Sequence, residues 1–163
     1  MTKDEEYMRI AIKEAEKASS LDEVPVGCVI VQDGKIIAKG HNLKEKNQDA
    51  TKHAEMVAIQ KASTILNTWC LDDCDLYVTL EPCLMCTGAI VQSRIRHVYY
   101  GASDPKGGCI DSVLELKSIP KINHHPKTTG GVLQPACSQI LTSFFQKKRD
   151  EKKHSKAFII KKK

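Results

Sequence analysis

The sequence has few aromatic residues and no apolar run long enough to cross a membrane. Phe, Trp and Tyr make up only 5% of its 163 residues, and a membrane-spanning helix needs about 20 consecutive apolar residues. The first six residues, Met-Thr-Lys-Asp-Glu-Glu, are polar and acidic, unlike a secretory signal. Internal repeats are also missing, and a chain of this length favours one domain with its own core.

The seven cysteines do not indicate a disulfide framework. Their number is odd, and two of them, Cys83 and Cys86, belong to a metal-binding pattern. Disulfides persist mainly in oxidising compartments. The cysteine content therefore favours a reducing cytosolic or nuclear setting, and we expect a cytoplasmic protein.

The positive charge is concentrated at the C-terminus. The net charge is +5, and residues 147–163 contain nine Lys and Arg against Asp150 and Glu151. A basic terminus is often a solvated, frayed tail, but a basic arm can also bind nucleic-acid phosphates. We therefore divide the chain into a domain over residues 1–149 and a basic tail over residues 150–163, in which apolar residues 157–160 suggest some docking.

The most informative pattern pairs His53-Ala54-Glu55 with Pro82-Cys83-Leu84-Met85-Cys86. His53, Cys83 and Cys86 supply three nitrogen and sulfur ligands, which leaves the fourth position of a tetrahedral zinc ion open. An open position is typical of catalytic zinc, whereas structural zinc sites are closed. The carboxylate of Glu55 can then act on whatever fills that position.

The spacing predicts that both halves of this pattern lie at helix N-termini. Cys83 and Cys86 are three residues apart and would share a helix face, and Pro82 suits the first helical position because it has no N–H to leave unpaired. His53 precedes an apolar-periodic run and should open a second helix. Residues two apart do not share a helix face, so His53 and Glu55 can reach one site only from the first turn of that helix.

Hydrophobic patterning predicts alternating helices and strands. The expected elements are a helix from Thr2 to about residue 19, a hairpin of strands 26–31 and 35–38 around Asp33-Gly34, a polar loop 40–49, helix 53–66, strand 76–80, helix 83–92, strand 97–100, a short helix near 111–116 and a helix from about 135. The strand–helix–strand unit over 76–100 predicts parallel pairing. The last element of the sheet falls around residues 126–133, a segment that is poor in β-forming residues. We expect an α/β fold in three layers, with a mixed five-stranded sheet between helices.

Several further segments resemble the tRNA adenosine deaminases, which form inosine at the anticodon wobble position. They are Val24-Pro25-Val26-Gly27-Cys28, Gly40-His41-Asn42, residues 77–86, Tyr100-Gly101-Ala102-Ser103-Asp104 and Phe144-Phe145. The metal pattern alone is typical of the cytidine deaminase superfamily. The resemblance runs from about Tyr7 to Arg149 and implies a cytidine-deaminase-like α/β/α fold, one zinc ion per subunit, a tRNA anticodon stem-loop as partner, a homodimer and no organic cofactor.

Within this family the sequence has features of two forms. Asn123-His124 resembles the bacterial homodimeric form, although His125 stands where that form usually has arginine. Residues 51–56 and Gly107-Gly108-Cys109 also resemble the catalytic subunit of the eukaryotic heterodimer. We favour the bacterial type.

The resemblance implies hydrolytic deamination of adenosine to inosine. Zinc lowers the pKa of a bound water from about 15.7 to roughly 7 in favourable sites. Glu55 is expected to take the proton of this water and to deliver protons to the base and the departing ammonia. Glu81 is expected to hold the loop before the metal-binding helix and not to transfer protons.

The resemblance also implies residues that bind the substrate. Asn42 would read a purine edge, or it could be only a turn residue after the hairpin. Val26 would line the pocket, and Asp104 would lie close to the RNA or stabilise a turn. Three residues near the C-terminus match positions that the family uses for the anticodon loop, where aromatic rings stack on bases and cations meet the backbone: Phe145, Lys148 and Arg149. We expect Phe144 to pack in the core.

Two other functions share the metal-binding pattern. A deaminase of free bases or nucleosides, acting on guanine, cytosine or cytidine, would use the same zinc and Glu55. Alternatively, the zinc could be structural, in an RNA-binding or scaffold protein. The fourth ligand would then be a thiolate from one of five cysteines: Cys28, Cys70, Cys74, Cys109 or Cys137.

Overall fold

The structure is a computed structural model that describes residues 1–162, with side chains as far as Lys156. The suggested docking of residues 157–160 therefore lies outside the described side chains. Five α-helices, five strands and a 3-10 turn follow one another along the chain. They are α1 (Lys3–Ser20), β1 (Gly27–Gln32), β2 (Lys35–His41), α2 (Lys44–Asn47), α3 (Ala54–Leu66), β3 (Cys74–Leu80), α4 (Leu84–Gln92), β4 (His97–Ala102), the 3-10 turn (Leu116–Ser118), β5 (Lys127–Thr129) and α5 (Gln134–Lys162).

The five strands form one mixed sheet in the order β2-β1-β3-β4-β5. Strand β1 pairs antiparallel with β2 and β3, while β3 with β4 and β4 with β5 are parallel. Helices α1 and α5 cover one face, and α3 and α4 cover the other. The three-layer fold, the antiparallel hairpin at one side and the parallel β3-α4-β4 unit are thus confirmed.

Local sequence signals account for the first elements. Thr2 is the N-cap of α1, and its hydroxyl accepts a hydrogen bond from the backbone N–H of Glu5 at 3.2 Å, as is typical of a Thr-x-x-Glu capping box. Asp33 and Gly34 both have positive φ, at 50° and 74°. Two such residues between strands are typical of a type I′ hairpin turn.

Two predicted elements were wrong because distant residues decide them. The short helix near 111–116 is replaced by the 3-10 turn at Leu116–Ser118, since the backbone N–H groups of residues 110–112 bind the carboxylate of Glu81. Helix α2 lies within the predicted polar loop. The last strand, β5, forms at Lys127–Thr129, within residues 126–133, because β4 supplies a parallel partner in spite of weak local propensity.

Helix α5 is continuous for 29 residues and passes through the predicted boundary at residue 149. The division into a domain and a tail stays a prediction. Within the described residues, no helix is both long enough and apolar enough to span a membrane.

Helix α3 lies directly against β2 because Gly40 has no side chain. A Cβ atom at Gly40 would be 2.6 Å from the carbonyl oxygen of Ala54 and 2.8 Å from the backbone nitrogen of Ala58, distances that real Cβ contacts do not show. This close approach fixes the position of α3 against β2. His53, the N-cap of α3, is positioned with it.

Candidate active site

Two helix N-termini bring the three predicted metal ligands together. His53 is the N-cap of α3 and Cys83 the N-cap of α4, both with extended backbone, and Cys86 is in the first turn of α4. The Nδ1 atom of His53 is 3.5 Å from the Sγ atoms of both cysteines. All three ligand atoms lie within 4.8 Å of one another.

The local prediction for Pro82 was wrong by two positions, because α4 begins at Leu84. Pro82 precedes the N-cap and does not occupy the first helical position, because Cys83 is still extended. An N-cap side chain folds back toward the third helical residue, which here is Cys86. The two sulfur atoms meet for this reason and not because both lie on one helical face.

The donor set suits a zinc ion. Two thiols and one imidazole are ligands that zinc prefers. The group of mutually close ligand atoms contains, within the described part of the chain, none of the other five cysteines. A closed structural site would need a fourth ligand of this kind, so the geometry favours an open one.

The two cysteines differ in pKa, and only that of Cys83 is lowered. A hydrogen bond from the Cys86 thiol lowers the pKa of Cys83 to about 4, and neighbouring His53 lowers it further against the opposing effect of burial. The pKa of Cys86 is raised by its bond to Cys83 and by burial. Since thiolates are the form that binds metals, Cys83 is ready to coordinate at neutral pH.

Glu55 is a buried carboxyl group in the first turn of α3. Burial raises its pKa to about 7, and the negative charge of Cys83 contributes in the same direction. Glu55 lines the same cleft as His53 and Cys83 but is not one of the three ligand residues. A carboxyl group with a pKa near neutrality can take up a proton and return it at physiological pH.

Asn42 links the end of β2 to the start of α3. Its Nδ2 atom donates to the carbonyl oxygen of Val24 at 2.9 Å, and its Oδ1 atom accepts from the backbone N–H of Ala54 at 2.9 Å. A side-chain amide has two N–H groups and two lone pairs, so these bonds leave capacity for a purine edge. Asn42 therefore holds the turn and also faces the cleft.

The cleft beside the metal ligands has a volume of about 810 Å³. Four of the six predicted substrate-binding residues line it: Val26, Asn42, Asp104 and Lys148. Phe145 and Arg149 are exposed and are not among the lining residues. Phe144 lines the cleft although it is largely buried, so the expectation of core packing was only partly right.

Lys148 connects α5 to the opposite wall of the cleft. Its ammonium group forms an ion pair with Asp22, in the turn after α1, and lies 3.7 Å from Glu151. The same group is 5.6 Å from the centre of the Phe144 ring. The positive charge of Lys148 is thus largely compensated within the chain.

Glu81 holds the loop that contains Asp104. The Glu81 side chain is buried, and its carboxylate accepts the backbone N–H groups of four residues at 2.9–3.1 Å: Asp104, Ile110, Asp111 and Ser112. Asp104 itself accepts from the N–H groups of Lys106 and Gly107, both at 3.1 Å, as expected for a turn residue. Glu81 was predicted to hold the loop before the metal-binding helix, and this was wrong: the hydrogen bonds of its carboxylate go to residues 104–112.

Sequence reasoning missed five polar residues that line the cleft: Asp22, Glu23, Lys44, Glu45 and Lys46. Two of them lie in the turn after α1, and the other three are on α2, within the segment predicted as a loop. Their position between Asn42 and His53 could have placed the two lysines near the site.

The fold and the open His-Cys-Cys site define a deaminase, and the chain matches the MafB19-like deaminase family over residues 2–149. The tRNA-specific adenosine deaminase of Bacillus subtilis is 49% identical over 153 residues, covering 94% of this chain and 95% of that protein. The chain therefore belongs to the tRNA-specific adenosine deaminase family.

Solved structures agree with this assignment. A structure from studies of A-to-I editing by tRNA deaminases at the wobble position of transfer RNA superposes with a TM-score of 0.81 at 43% identity. It covers 83% of this chain and 99% of its own. A guanine deaminase from Bacillus subtilis has a TM-score of 0.58 at 42% identity, over 61% of this chain and 64% of its own.

Proposed function

We propose that this protein hydrolytically deaminates adenosine to inosine at the wobble position of tRNA anticodon loops. The observation that carries the proposal is the placement of Glu55, a buried carboxyl group with a pKa of about 7, in one cleft with a three-ligand metal site. Its family, whose members include tRNA-specific adenosine deaminases, supports the choice of substrate.

The residues of the chain then have separate roles. His53, Cys83 and Cys86 would hold a zinc ion, which when bound supplies the Lewis acidity that lowers the pKa of a water toward neutrality. Glu55 removes the proton of this water and returns protons to the adenine ring and to the departing ammonia. Its pKa near the working pH suits both transfers.

The base must leave its stack to enter the cleft. Asn42 binds the purine edge with the hydrogen-bonding capacity that its links to Val24 and Ala54 leave, and Val26 packs against the base. Asp104 borders the cleft from the loop that Glu81 holds. These residues give the cleft its selectivity for a purine.

Residues of α5 meet the RNA beyond the reacting base. Phe145 and Arg149 are four residues apart, share an exposed helix face, and would stack on a loop base and bind a phosphate. Lys148 would leave its ion pair with Asp22 and bind a phosphate group as the RNA enters the cleft. This exchange would widen the cleft at the side of α5.

We further infer a homodimer in the cytoplasm. Leu84 and Val113 are exposed apolar residues next to segments that border the metal site, and exposed apolar groups are typical of interaction surfaces. All seven cysteines have free thiols, which a reducing compartment preserves. Recovery of the native enzyme in an extracellular fraction would contradict the cytoplasmic assignment.

The proposal is tested with Glu55→Gln, which keeps the size of the side chain but cannot take up a proton. Inosine formation in an anticodon stem-loop should fall by at least roughly 100-fold, the usual contribution of a general acid–base group. Zinc content by elemental analysis and RNA affinity should be unchanged. Near-parental activity of the variant would refute the role of Glu55, and Glu16→Gln, on the exposed side of α1, is the matched control.

The similarity to a guanine deaminase makes a free-base deaminase the second candidate. The same preparations should therefore be offered guanine, cytosine and cytidine, with ammonia release as the readout. Turnover of any of these in preference to the stem-loop would replace the proposed function.

A further inference from the structure

Three consecutive residues in the turn after α1 each bind a different wall of the cleft. Asp22 pairs with Lys148 of α5, and the carbonyl oxygen of Val24 accepts from Asn42. Glu23, between them, binds the backbone of α2. Of these three residues, Glu23 is the one that binds α2, a helix of four residues with no buried side chain.

Glu23 replaces a missing helix cap. Its side chain is 1% exposed, and its two carboxylate oxygens accept the N–H groups of Glu45 at 2.9 Å and Lys46 at 2.7 Å. The first N–H groups of a helix have no partner within the helix, and the N-cap of α2, Leu43, makes no side-chain hydrogen bond.

Helix α2 cannot hold its position by itself. It has four residues, none of them buried, whereas isolated helices shorter than about 12 residues are marginal in water. Apolar packing therefore contributes little to its placement. The two hydrogen bonds that the buried carboxylate of Glu23 accepts, together with the bond from the Leu43 N–H to the carbonyl oxygen of Lys52 at 3.0 Å, hold the start of the helix in place.

Helix α2 presents two cations and, between them, the carboxylate of Glu45 to the cleft, which leaves a net charge of +1. Lys44 and Lys46 are exposed and line the cleft. Among the side chains that the structure describes, neither forms an ion pair within 4.0 Å, whereas Lys148 is paired with Asp22. Their charges are available to a polyanion at the mouth of the cleft.

We propose that Glu23 is a positioning residue for the RNA substrate. By capping α2 it places Lys44 and Lys46 where their ammonium groups bind phosphates of the RNA strand that carries the reacting base. The identity of this strand as an anticodon loop rests on the proposed function. Glu23 touches neither the base nor the metal ligands, and it acts only through α2.

Charge alone predicts the opposite effect of removing Glu23. A carboxylate near a polyanion repels it, so neutralising the carboxylate should strengthen RNA binding if electrostatics were its only contribution. If Glu23 positions α2, neutralising it should weaken RNA binding. The direction of the change therefore separates the two possibilities.

The experiment measures kcat and KM for inosine formation in an anticodon stem-loop. For Glu23→Ala, KM should rise roughly tenfold with kcat within about twofold, because two phosphate contacts are lost and the proton-transfer group is untouched. The double variant Lys44→Ala/Lys46→Ala should raise KM similarly. Adding Glu23→Ala to this double variant should have little further effect, since contacts that act through one another are not additive.

Salt dependence gives a second readout that loss of stability would not change. Each phosphate contact to a single strand contributes about 0.7 to the slope of log affinity against log salt concentration. The slope should therefore be shallower by up to roughly 1.4 in Glu23→Ala and in the lysine double variant. Glu16→Ala, which removes the same charge from the exposed side of α1, should leave both KM and the slope unchanged.

Several results would overturn the inference. They are an unchanged or lower KM in Glu23→Ala, additive effects of Glu23→Ala and the lysine pair, or a loss confined to kcat. If Glu23→Ala does not fold, Glu23→Gln replaces it. This variant keeps one acceptor oxygen and should raise KM, but less than the lysine double variant does. An unchanged KM in Glu23→Gln or in the lysine double variant would refute the positioning role of Glu23. A parental protein that forms no inosine would instead refute the proposed function.

Discussion

Glu55 and Glu81 are two buried carboxyl groups beside the metal ligands, and their pKa values move in opposite directions. Burial dominates at Glu55 and raises its pKa to about 7. Burial acts in the same direction at Glu81, but hydrogen bonds from Asp111, Ser112 and Asp104 outweigh it and lower the pKa. The number of hydrogen-bond donors around each carboxyl group thus determines the direction in which its pKa moves.

At the residue scale, Glu81→Gln should destabilise the protein by about 2 kcal/mol at pH 7, because an amide cannot accept from all the N–H groups that surround the carboxylate. Since the folded pKa lies below 4.5, this stabilisation is present above pH 4.5 and is lost as the pH falls through the folded value. Urea unfolding at pH 7 and below pH 4 measures the difference.

The gap in unfolding free energy between the parent and Glu81→Gln should therefore be smaller at the acidic pH. A gap that is constant with pH would show that Glu81 contributes through packing alone. Glu16→Gln again serves as the exposed control, with little change at either pH.

At the scale of elements, the site depends on where α3 and α4 begin. The sequence predicted both helices, because apolar periodicity and the spacing of His53, Cys83 and Cys86 are local. It did not predict helix α2, because the group that caps it is Glu23, some twenty residues earlier. The sequence also predicted a helix near residues 111–116 that does not form, since the carboxylate of Glu81 binds the backbone N–H groups of residues 110–112.

Gly40→Ala tests the close contact of α3 with β2. The added methyl group would overlap the backbone of Ala54 and Ala58, and relief by shifting α3 should cost on the order of 1–3 kcal/mol. His53 should move with the helix, so zinc affinity should also fall. Thermal unfolding and a competitive zinc titration measure the two effects.

Gly88→Ala is the matched control for this substitution. Gly88 lies inside α4, and a Cβ atom there would meet nothing within 4 Å. Alanine should stabilise the helix by up to roughly 1 kcal/mol. Equal losses of stability in Gly40→Ala and Gly88→Ala would contradict the explanation from close packing.

At the scale of the whole molecule, two exposed apolar side chains flank the segments around the metal site. Leu84 is 67% exposed and follows Cys83, while Val113 is 58% exposed and follows Ser112, whose N–H binds Glu81. Both segments meet at Glu81. A second copy of the chain that covers this surface would lie close to the cleft.

The parental protein should therefore have the mass of a dimer in light scattering. Leu84→Glu/Val113→Glu should shift the mass toward that of a monomer, because charged groups at the centre of an interface are costly to bury. The unfolding midpoint, measured at a fixed low protein concentration, should change little if the monomer folds by itself. A monomeric parent would refute the homodimer.

The sequence by itself determined the order of the main helices and strands, and it pointed to His53, Cys83, Cys86 and Glu55 as candidate site residues, which the structure brings to one cleft. Those signals depend on residue type and short spacing, which a folded chain preserves. Only the tertiary structure decided that Phe144 and not Phe145 lines the cleft, that Lys148 is paired with Asp22, and that Glu23 holds α2. These contacts join residues that are far apart in the chain, and which of them form depends on how helices pack on the sheet.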